Sequence, residues 1–370
     1  MKNILVVGQT PPPYGGQAMS LNQVITHPFN SCKIYHIRMS FSKNFKQIGK
    51  VNNSKIFHLF KIILTTIHYR FKYDIKTLYY PPSGPSFYPI IRDIVFLIFV
   101  RPFFSETIFH FHAAGVSEYI FHSNKLLQFF ARLAYNKPSI SIQLSKRNPA
   151  DGKYFASKKI FILPNSLEDE YKMRKYHKYN KLPDDPINIL FVGVIQKSKG
   201  IEVLIEATSL LQDTKIDFRV NIIGEFNSIG YEKMIKSIVH AKNLSEKILF
   251  HGIKIENEKY DIYNKSDIFC FPTFFESESF GNVVVEAMMF KLPVVATYWR
   301  GIPDIVENNK TGFLVNIQSP LELAEKLRIL LDNPELRVKM GIKGREKYLS
   351  HYQTKERFQK LELILNDNKN

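Results

Sequence analysis

The residues best suited to chemistry lie in the second half of the chain. Glu278-Ser-Phe-Gly-Asn-Val-Val-Val-Glu286 puts one carboxylate just before a predicted helix and another inside it. At a rise of about 1.5 Å per residue, their axial separation is at most about 12 Å. That is too far for two acids to cooperate on one bond, but it suits two acids gripping opposite ends of one long ligand. Between them, the amides of Phe280, Gly281 and Asn282 form a helix start, where unsatisfied N–H groups favour an anion. A second cluster, Gly193 to Gly200, reads GVIQKSKG between a predicted strand and a helix. Its Lys197 and Lys199 either neutralise a phosphate or stand solvated.

Two more clusters lie in the first half. Gly8 to Gly16, GQTPPPYGG, follows the first strand and ends in Gly15 and Gly16, just before a helix. Glycine there either lets the backbone approach an anion or simply closes a tight turn. His110-Phe-His112-Ala-Ala-Gly115 ends a strand, and two-residue alternation puts both imidazoles on one face. They serve either as hydrogen-bonding groups at a site or as satisfied structural histidines. No Cys or carboxylate stands beside them at metal-ligand spacing, and there is no Asp-x-Asp to hold a divalent ion, so no metal and no cofactor is expected. G-x-S-x-G and H-E-x-x-H are also absent.

The elements that must carry these residues alternate along the chain. In the first half, strands are expected at Asn3 to Val7, Lys33 to Met39, Thr77 to Tyr80, Thr107 to Phe111, Ser139 to Gln143 and Lys159 to Leu163. Helices are expected at Gln17 to Thr26, Ile56 to Tyr73, Tyr88 to Phe99 and Glu118 to Ala134. After the polar stretch 168–186, which ends in Pro-Asp-Asp-Pro, the rhythm restarts. Strands are expected at Asn188 to Val192, Phe218 to Ile223, Ile248 to His251, Ile268 to Phe271 and Pro293 to Thr297. The helices between and after them are Ile201 to Leu211, Tyr231 to Ala241, Asn282 to Phe290, Leu321 to Leu331, Glu335 to Leu349 and Lys355 to Leu365. This alternation predicts an α/β fold of two doubly wound parallel-sheet domains, with a crevice at the carboxyl ends of the strands.

Composition agrees with that size and class. The 370 residues are 45% hydrophobic and 23% charged, which excludes a disordered or collagen-like chain. Two cysteines, Cys32 and Cys270, are too few for a disulfide framework. The opening run MKNILVVGQTPPPYGG has no long apolar core, so no signal peptide is expected. IVFLIFV, Ile94 to Val100, is far shorter than the roughly 20 residues of a spanning helix. It reads as a buried helix or as one that touches a membrane. The net charge is +17, and residues 1–166 hold 21 basic against five acidic residues, so +16 of it lies there. FSKNF, KIFHLF and HYRFKYD interleave aromatic and basic residues in the same half. That pattern fits nucleic-acid stacking, an anionic membrane surface, or a solvated basic face over an aromatic core.

Taken together, the second half resembles the donor-binding domain of retaining glycosyltransferases of family 4, enzymes of GT-B architecture. The resemblance runs from ILFVGVIQKSKGIEVLIEA through FRVNIIGE and KILFHG to SDIFCFPTFFESESFGNVVVEAMMFKLPVVATYWRGIPDIVENNKTGFLV. In the first half, PPPYGG, the H-F-H strand end and FILPNS fit more loosely.

The resemblance implies two Rossmann-like domains facing across a cleft. Residues 1–167 would bind the acceptor, 187–351 the nucleotide-sugar, 168–186 would link them, and 352–370 would return to the first domain. It implies that Glu286 accepts hydrogen bonds from the ribose hydroxyls. Glu278 would sit by the donor sugar, with the amides of Phe280, Gly281 and Asn282 nearby. Lys199 would pair with the diphosphate, and Gly15 and Gly16 would close over it. His112 would act near the reacting centre. Where the family has Arg after the first glycine of the second domain, this chain has Val194, and Lys197 or Arg300 would supply the charge. The family's Pro-Asn-Gly is Pro-Asn-Ser here, at 164–166.

The function so implied is metal-independent, retaining transfer of a sugar from a nucleotide-sugar to a saccharide acceptor. Lipid-diphosphate carriage, in lipopolysaccharide O-antigen or capsule assembly, fits the basic first half. The expected place is the cytoplasm, peripheral at the inner face of the membrane, with no nucleic-acid partner. Another GT-B enzyme, such as an epimerase or phosphorylase, and a non-catalytic anion-surface module are the alternatives.

Overall fold

The computed structural model describes residues 1–12, 15–41, 53–177, 179, 182 and 185–367. Most of FSKNF, two residues of PPPYGG and part of the expected linker therefore lie outside the described residues. The chain divides into two units, Met1–Asn165 with Lys355–Asn370, and Ser166–Thr354.

In the first unit, β1 (Lys2–Gly8), β2 (Cys32–Arg38), β3 (Thr77–Tyr80), β4 (Glu106–Phe111), β5 (Ile140–Gln143) and β6 (Lys159–Ile162) form one parallel sheet. Their order is β2-β1-β3-β4-β5-β6. Helices Gly16–Thr26 and Thr354–Asn366 cover one face, where Leu21, Val24, Phe358 and Leu361 pack on Ile4, Val6 and Ile108. The last helix is fastened by polar contacts as well: Ser31 donates to Glu362 from its backbone N–H (2.7 Å) and its hydroxyl (2.6 Å). Helices Asn53–Lys72, Phe87–Val100 and Lys125–Tyr135 cover the other face, over Leu5, Val7, Phe109 and Phe111. Both faces are buried, so the central strands read as continuous apolar runs. The single helix expected over Glu118 to Ala134 is two, Val116–Phe121 and Lys125–Tyr135. Asn124 makes the break, its side chain capping the second helix by accepting from the Leu127 N–H at 2.9 Å.

The second unit repeats the plan. β7 (Ile187–Val192), β8 (Phe218–Ile223), β9 (Ile248–Phe250), β10 (Ile268–Phe271), β11 (Val294–Thr297) and β12 (Gly312–Val315) are all parallel. Their order is β12-β11-β10-β7-β8-β9. Strand β12, helix Glu256–Lys265 and the short helices Asp151–Tyr154, Glu170–Met173 and Ile302–Ile305 were not expected from the sequence. Glu170–Met173 falls within the stretch read as a linker. Its cap residue Asp169 is gripped by both Arg345 Nη atoms, at 2.8 and 2.6 Å.

In each unit the chain builds outward from one strand, then returns to its other side. The reversal falls between β1 and β3 in the first sheet and between β7 and β10 in the second. Ligands of open α/β sheets bind outside the carboxyl ends of the strands at such switch points. Among the described residues, no helix is long and apolar enough to cross a membrane.

Candidate functional site

The second switch point collects most of the residues singled out in the sequence. Lys197 and Lys199 follow β7, Glu278 follows β10, and Arg300 follows β11, the next strand over. The turn carrying the lysines is a single 3-10 turn, Lys197–Lys199, ended by Gly200 at φ +79°. A Cβ on Gly200 would lie 2.0 Å from the Pro272 carbonyl oxygen, so only glycine lets the β7 loop meet the β10 loop this closely. Phe274 N–H then donates to Ser198 O at 2.8 Å, sealing the two loops together.

That seam brings Lys199 Nζ to 2.6 Å from Glu278 Oε2. The Lys199 ammonium also lies over the Phe275 ring, 4.5 Å from its centroid. Thr273 donates to the same carboxylate oxygen at 3.3 Å, and Thr297 in turn donates to Thr273 O. Glu278 and Lys199 are both mostly buried, which strengthens their attraction relative to a surface pair. Helix Asn282–Met289 starts just beyond, behind Gly281 at φ +87°. A Cβ there would stand 2.6 Å from Ile302 Cδ1. Phe280 is buried and packs edge-on against Tyr352.

Glu286 lies on that helix but looks elsewhere. Lys259 Nζ meets its Oε1 at 2.7 Å, and the buried Tyr263 hydroxyl donates to its Oε2 at 2.9 Å. Burial and the neighbouring Glu286 carboxylate push the Tyr263 phenol well above its ordinary pKa, so it stays a donor. Glu278 and Glu286 therefore have separate sets of hydrogen-bonding and ion-pair partners. The sequence reading missed Lys259 and Tyr263. Their four-residue spacing on one helix face was the available signal.

Val194 is partly exposed after β7. The Arg300 guanidinium lies 5.1 Å from the Trp299 ring, and Trp299 Nε1 donates to Phe275 O at 2.9 Å. Arg300 thus flanks the Glu278 loop. Among the described residues, no group of three or more His, Cys, Asp or Glu is placed to hold a metal ion.

Gly15, Gly16 and His112 belong to the first unit. Gly15 caps helix Gly16–Thr26. Gln17 Nε2, in the first turn of that helix, donates to Pro81 O at 3.2 Å, tying the helix start to the loop after β3 at that unit's switch point. His110 and His112 do share a face, with ring centroids 4.0 Å apart, and the Tyr79 hydroxyl bonds His110 Nδ1. Beside them lies the buried Arg357 of the last helix, which donates to Gln23 Oε1 (3.0 Å) and Ser20 Oγ (2.7 Å). Burial, aided by Arg357, drives the His112 pKa down to about 3; burial, His112 and Arg357 lower His110 well below its ordinary value.

Both rings are therefore neutral when folded and take up protons only when unfolded, once the pH falls below about 6.5. The unfolded state then binds more protons, so stability falls as the pH drops through and below about 6.5. Urea unfolding at pH 7.5 and 5.5 should show that loss, and His112→Gln should reduce the slope. A pH-independent midpoint over this range would contradict the burial of the pair.

Residues 172–347 match the family model described as glycosyl transferases group 1. The capsular polysaccharide biosynthesis glycosyltransferase CapM of Staphylococcus aureus is 29% identical over 235 residues, covering 61% of this chain and 58% of that protein. The chain spans between about a third and three-fifths of the length of the relatives it matches. Sucrose-phosphate synthase from Thermosynechococcus elongatus superposes over 99% of both chains with a TM-score of 0.74 at 18% identity. Anabaena HepE in complex with UDP gives a TM-score of 0.71 at 15% identity, over 99% of this chain and 100% of that one. These likenesses show the fold class, GT-B.

Proposed function

We propose that this chain, a GT-B protein whose residues 172–347 form a glycosyl transferases group 1 domain, transfers a sugar from a nucleotide-sugar to a saccharide acceptor. The observation that carries the reading is the Lys199–Glu278 pair, held at 2.6 Å between two loops at the switch point of the second sheet. In this reading, the diphosphate of the donor draws Lys199 away from Glu278 and rests on the helix start at Phe280, Gly281 and Asn282. Glu278, released, accepts hydrogen bonds from the sugar hydroxyls. Glu286 accepts from the ribose, its orientation fixed by Lys259 and Tyr263. Lys197 and Arg300 supply the cationic charge that Val194 lacks.

Transfer then breaks the bond between the anomeric carbon and the diphosphate oxygen, and the electron pair leaves with the nucleotide. The acceptor hydroxyl attacks from the same face through an oxocarbenium-like transition state, and its proton passes to the departing diphosphate. Configuration is retained with no enzymic nucleophile, and cationic and amide groups meet the developing charge without a metal. The roles of Gly15, Gly16 and His112 rest on the family resemblance alone.

CapM, a relative in capsule biosynthesis, and the UDP complex of HepE favour a cell-surface saccharide and a UDP-type donor. An acceptor carried on a lipid diphosphate at the inner membrane face fits the charge of residues 1–166. Calorimetry with UDP-, GDP- and ADP-sugars tests the donor site. One of them should bind, and Glu286→Gln should weaken it by about 1–3 kcal/mol, the cost of mispairing a buried polar group. Binding by none of the three, or unchanged affinity in the variant, would refute the assignment.

A further inference from the structure

We infer that the outer surface of the three-helix layer on the first unit is a docking face for an anionic lipid bilayer. The layer consists of helices Asn53–Lys72, Phe87–Val100 and Lys125–Tyr135, which pack side by side on one face of the sheet. Such helices ordinarily turn their apolar stripe to the core and a polar stripe to water. Here the stripe turned to water is apolar as well.

On the first helix, Ile62 and Ile63 face the core, while Phe57 (75% exposed), Phe60, Leu64 and Phe71 (63%) line the opposite side. On the third helix, Leu127, Ala131 and Ala134 are buried, while Leu126 (68%), Phe129, Phe130 and Leu133 run along the outside at helical spacing. Phe103, after the middle helix, joins the first stripe: its ring centroid lies 6.0 Å from that of Phe71, and Arg70 Nε donates to its carbonyl at 2.7 Å. Exposed apolar stripes on two helices of one layer, the first extended by Phe103, mark an interaction site.

Charge selects the occupant. Residues 53–137 hold ten Lys and Arg against four acids, and the first and third helices contain no acidic residue. Lys61 and Lys72 follow directly on Phe60 and Phe71; Lys125 and Arg132 directly precede Leu126 and Leu133. Apolar side chains framed by lysine and arginine match the acyl boundary and the anionic headgroups of a leaflet. A second copy of the same face would set those cations against one another. The face needs no donor at the other unit's switch point, so a failed nucleotide assay would leave it standing.

The test is cosedimentation of the full chain with vesicles of phosphatidylcholine alone and with 30% phosphatidylglycerol (about 30 mol%, enough to give a negative surface), each at low and high salt. Binding should require the anionic lipid and weaken with salt. Phe129→Gln with Leu133→Gln should lower the partition coefficient about tenfold or more. Lys61→Gln should lower it about fivefold at low salt and much less at high salt. Circular dichroism and nucleotide binding should be unchanged, since all these side chains lie on the surface. Absence of binding to anionic vesicles, binding unaltered by the variants, or sedimentation of a dimer that the Gln pair dissociates would overturn the inference.

Discussion

Lys199→Ala should lower turnover by about 10²- to 10³-fold, the effect of removing one preorganised group that meets charge developing in a transition state. Lys199 is mostly buried and held between the Phe275 ring and the Glu278 carboxylate, so its charge acts where water screens little. In the resting protein that charge faces Glu278; in the proposed reaction a departing diphosphate gives it a stronger partner. The ion pair also supports the fold, and Lys199→Ala leaves a mostly buried carboxylate that keeps the Thr273 hydroxyl as a donor but has lost its counter-charge. A fall in activity alone would therefore not distinguish chemistry from local collapse. Lys199→Met with Glu278→Gln separates the two, because it removes both charges and leaves neither orphaned. Stability should recover in the double variant, by about 1–3 kcal/mol over Lys199→Ala, while turnover stays low. Wild-type turnover in Lys199→Ala, or full recovery of rate in the double variant, would reduce the pair to a structural contact.

What the sequence disclosed follows from the range over which each feature is decided. β3, β8 and β10 have the bounds expected, because buried parallel strands are unbroken runs of apolar and β-branched residues and need no partner to be recognised. Helix Glu256–Lys265 escaped because ENEKYDIYNK has almost no apolar periodicity, and only Tyr263 of it is buried. The helix break at Asn124 turned on one cap that a continuous apolar pattern concealed. Glu278 and Glu286 were visible by type and position. That one pairs with Lys199, 79 residues away, and the other with Lys259 and Tyr263 depends on strand order, which local pattern does not encode. Helix Asn53–Lys72 shows the same limit. Its interleaved aromatic and basic residues were plain, but which of its apolar side chains face water depends on where the sheet lies.

Asp93→Ala should be the most damaging single substitution outside the candidate site, costing about 3–5 kcal/mol. Asp93 is fully buried in helix Phe87–Val100. Its Oδ1 accepts from the Tyr80 hydroxyl (2.7 Å), the Ser83 hydroxyl (2.8 Å) and Arg92 Nη2 (2.8 Å). Its Oδ2 accepts from the Ser83 N–H (2.7 Å) and the Tyr135 hydroxyl (3.2 Å). One carboxylate thus ties the end of β3, the turn after it and two helices. Alanine removes the acceptor for every one of these donors and leaves the largely buried Arg92 without its counter-charge. Asp93→Asn keeps the shape and one acceptor oxygen, so it should cost less. Tyr135→Phe, which deletes only the longest of the bonds, should cost about 1 kcal/mol. Calorimetry of the first unit's transition should place the three variants in that order, with a midpoint lowered on the order of 10 °C for alanine. A shift for alanine no larger than for Tyr135→Phe would mean that the donors find other partners. The loop after β3, which Asp93 anchors through Ser83 and which Gln17 reaches at Pro81, flanks the first sheet's switch point. Alanine should therefore disorder that loop before the unit unfolds, visible as lost protection of the Ser83 and Ser86 amides while β1 and β4 stay protected.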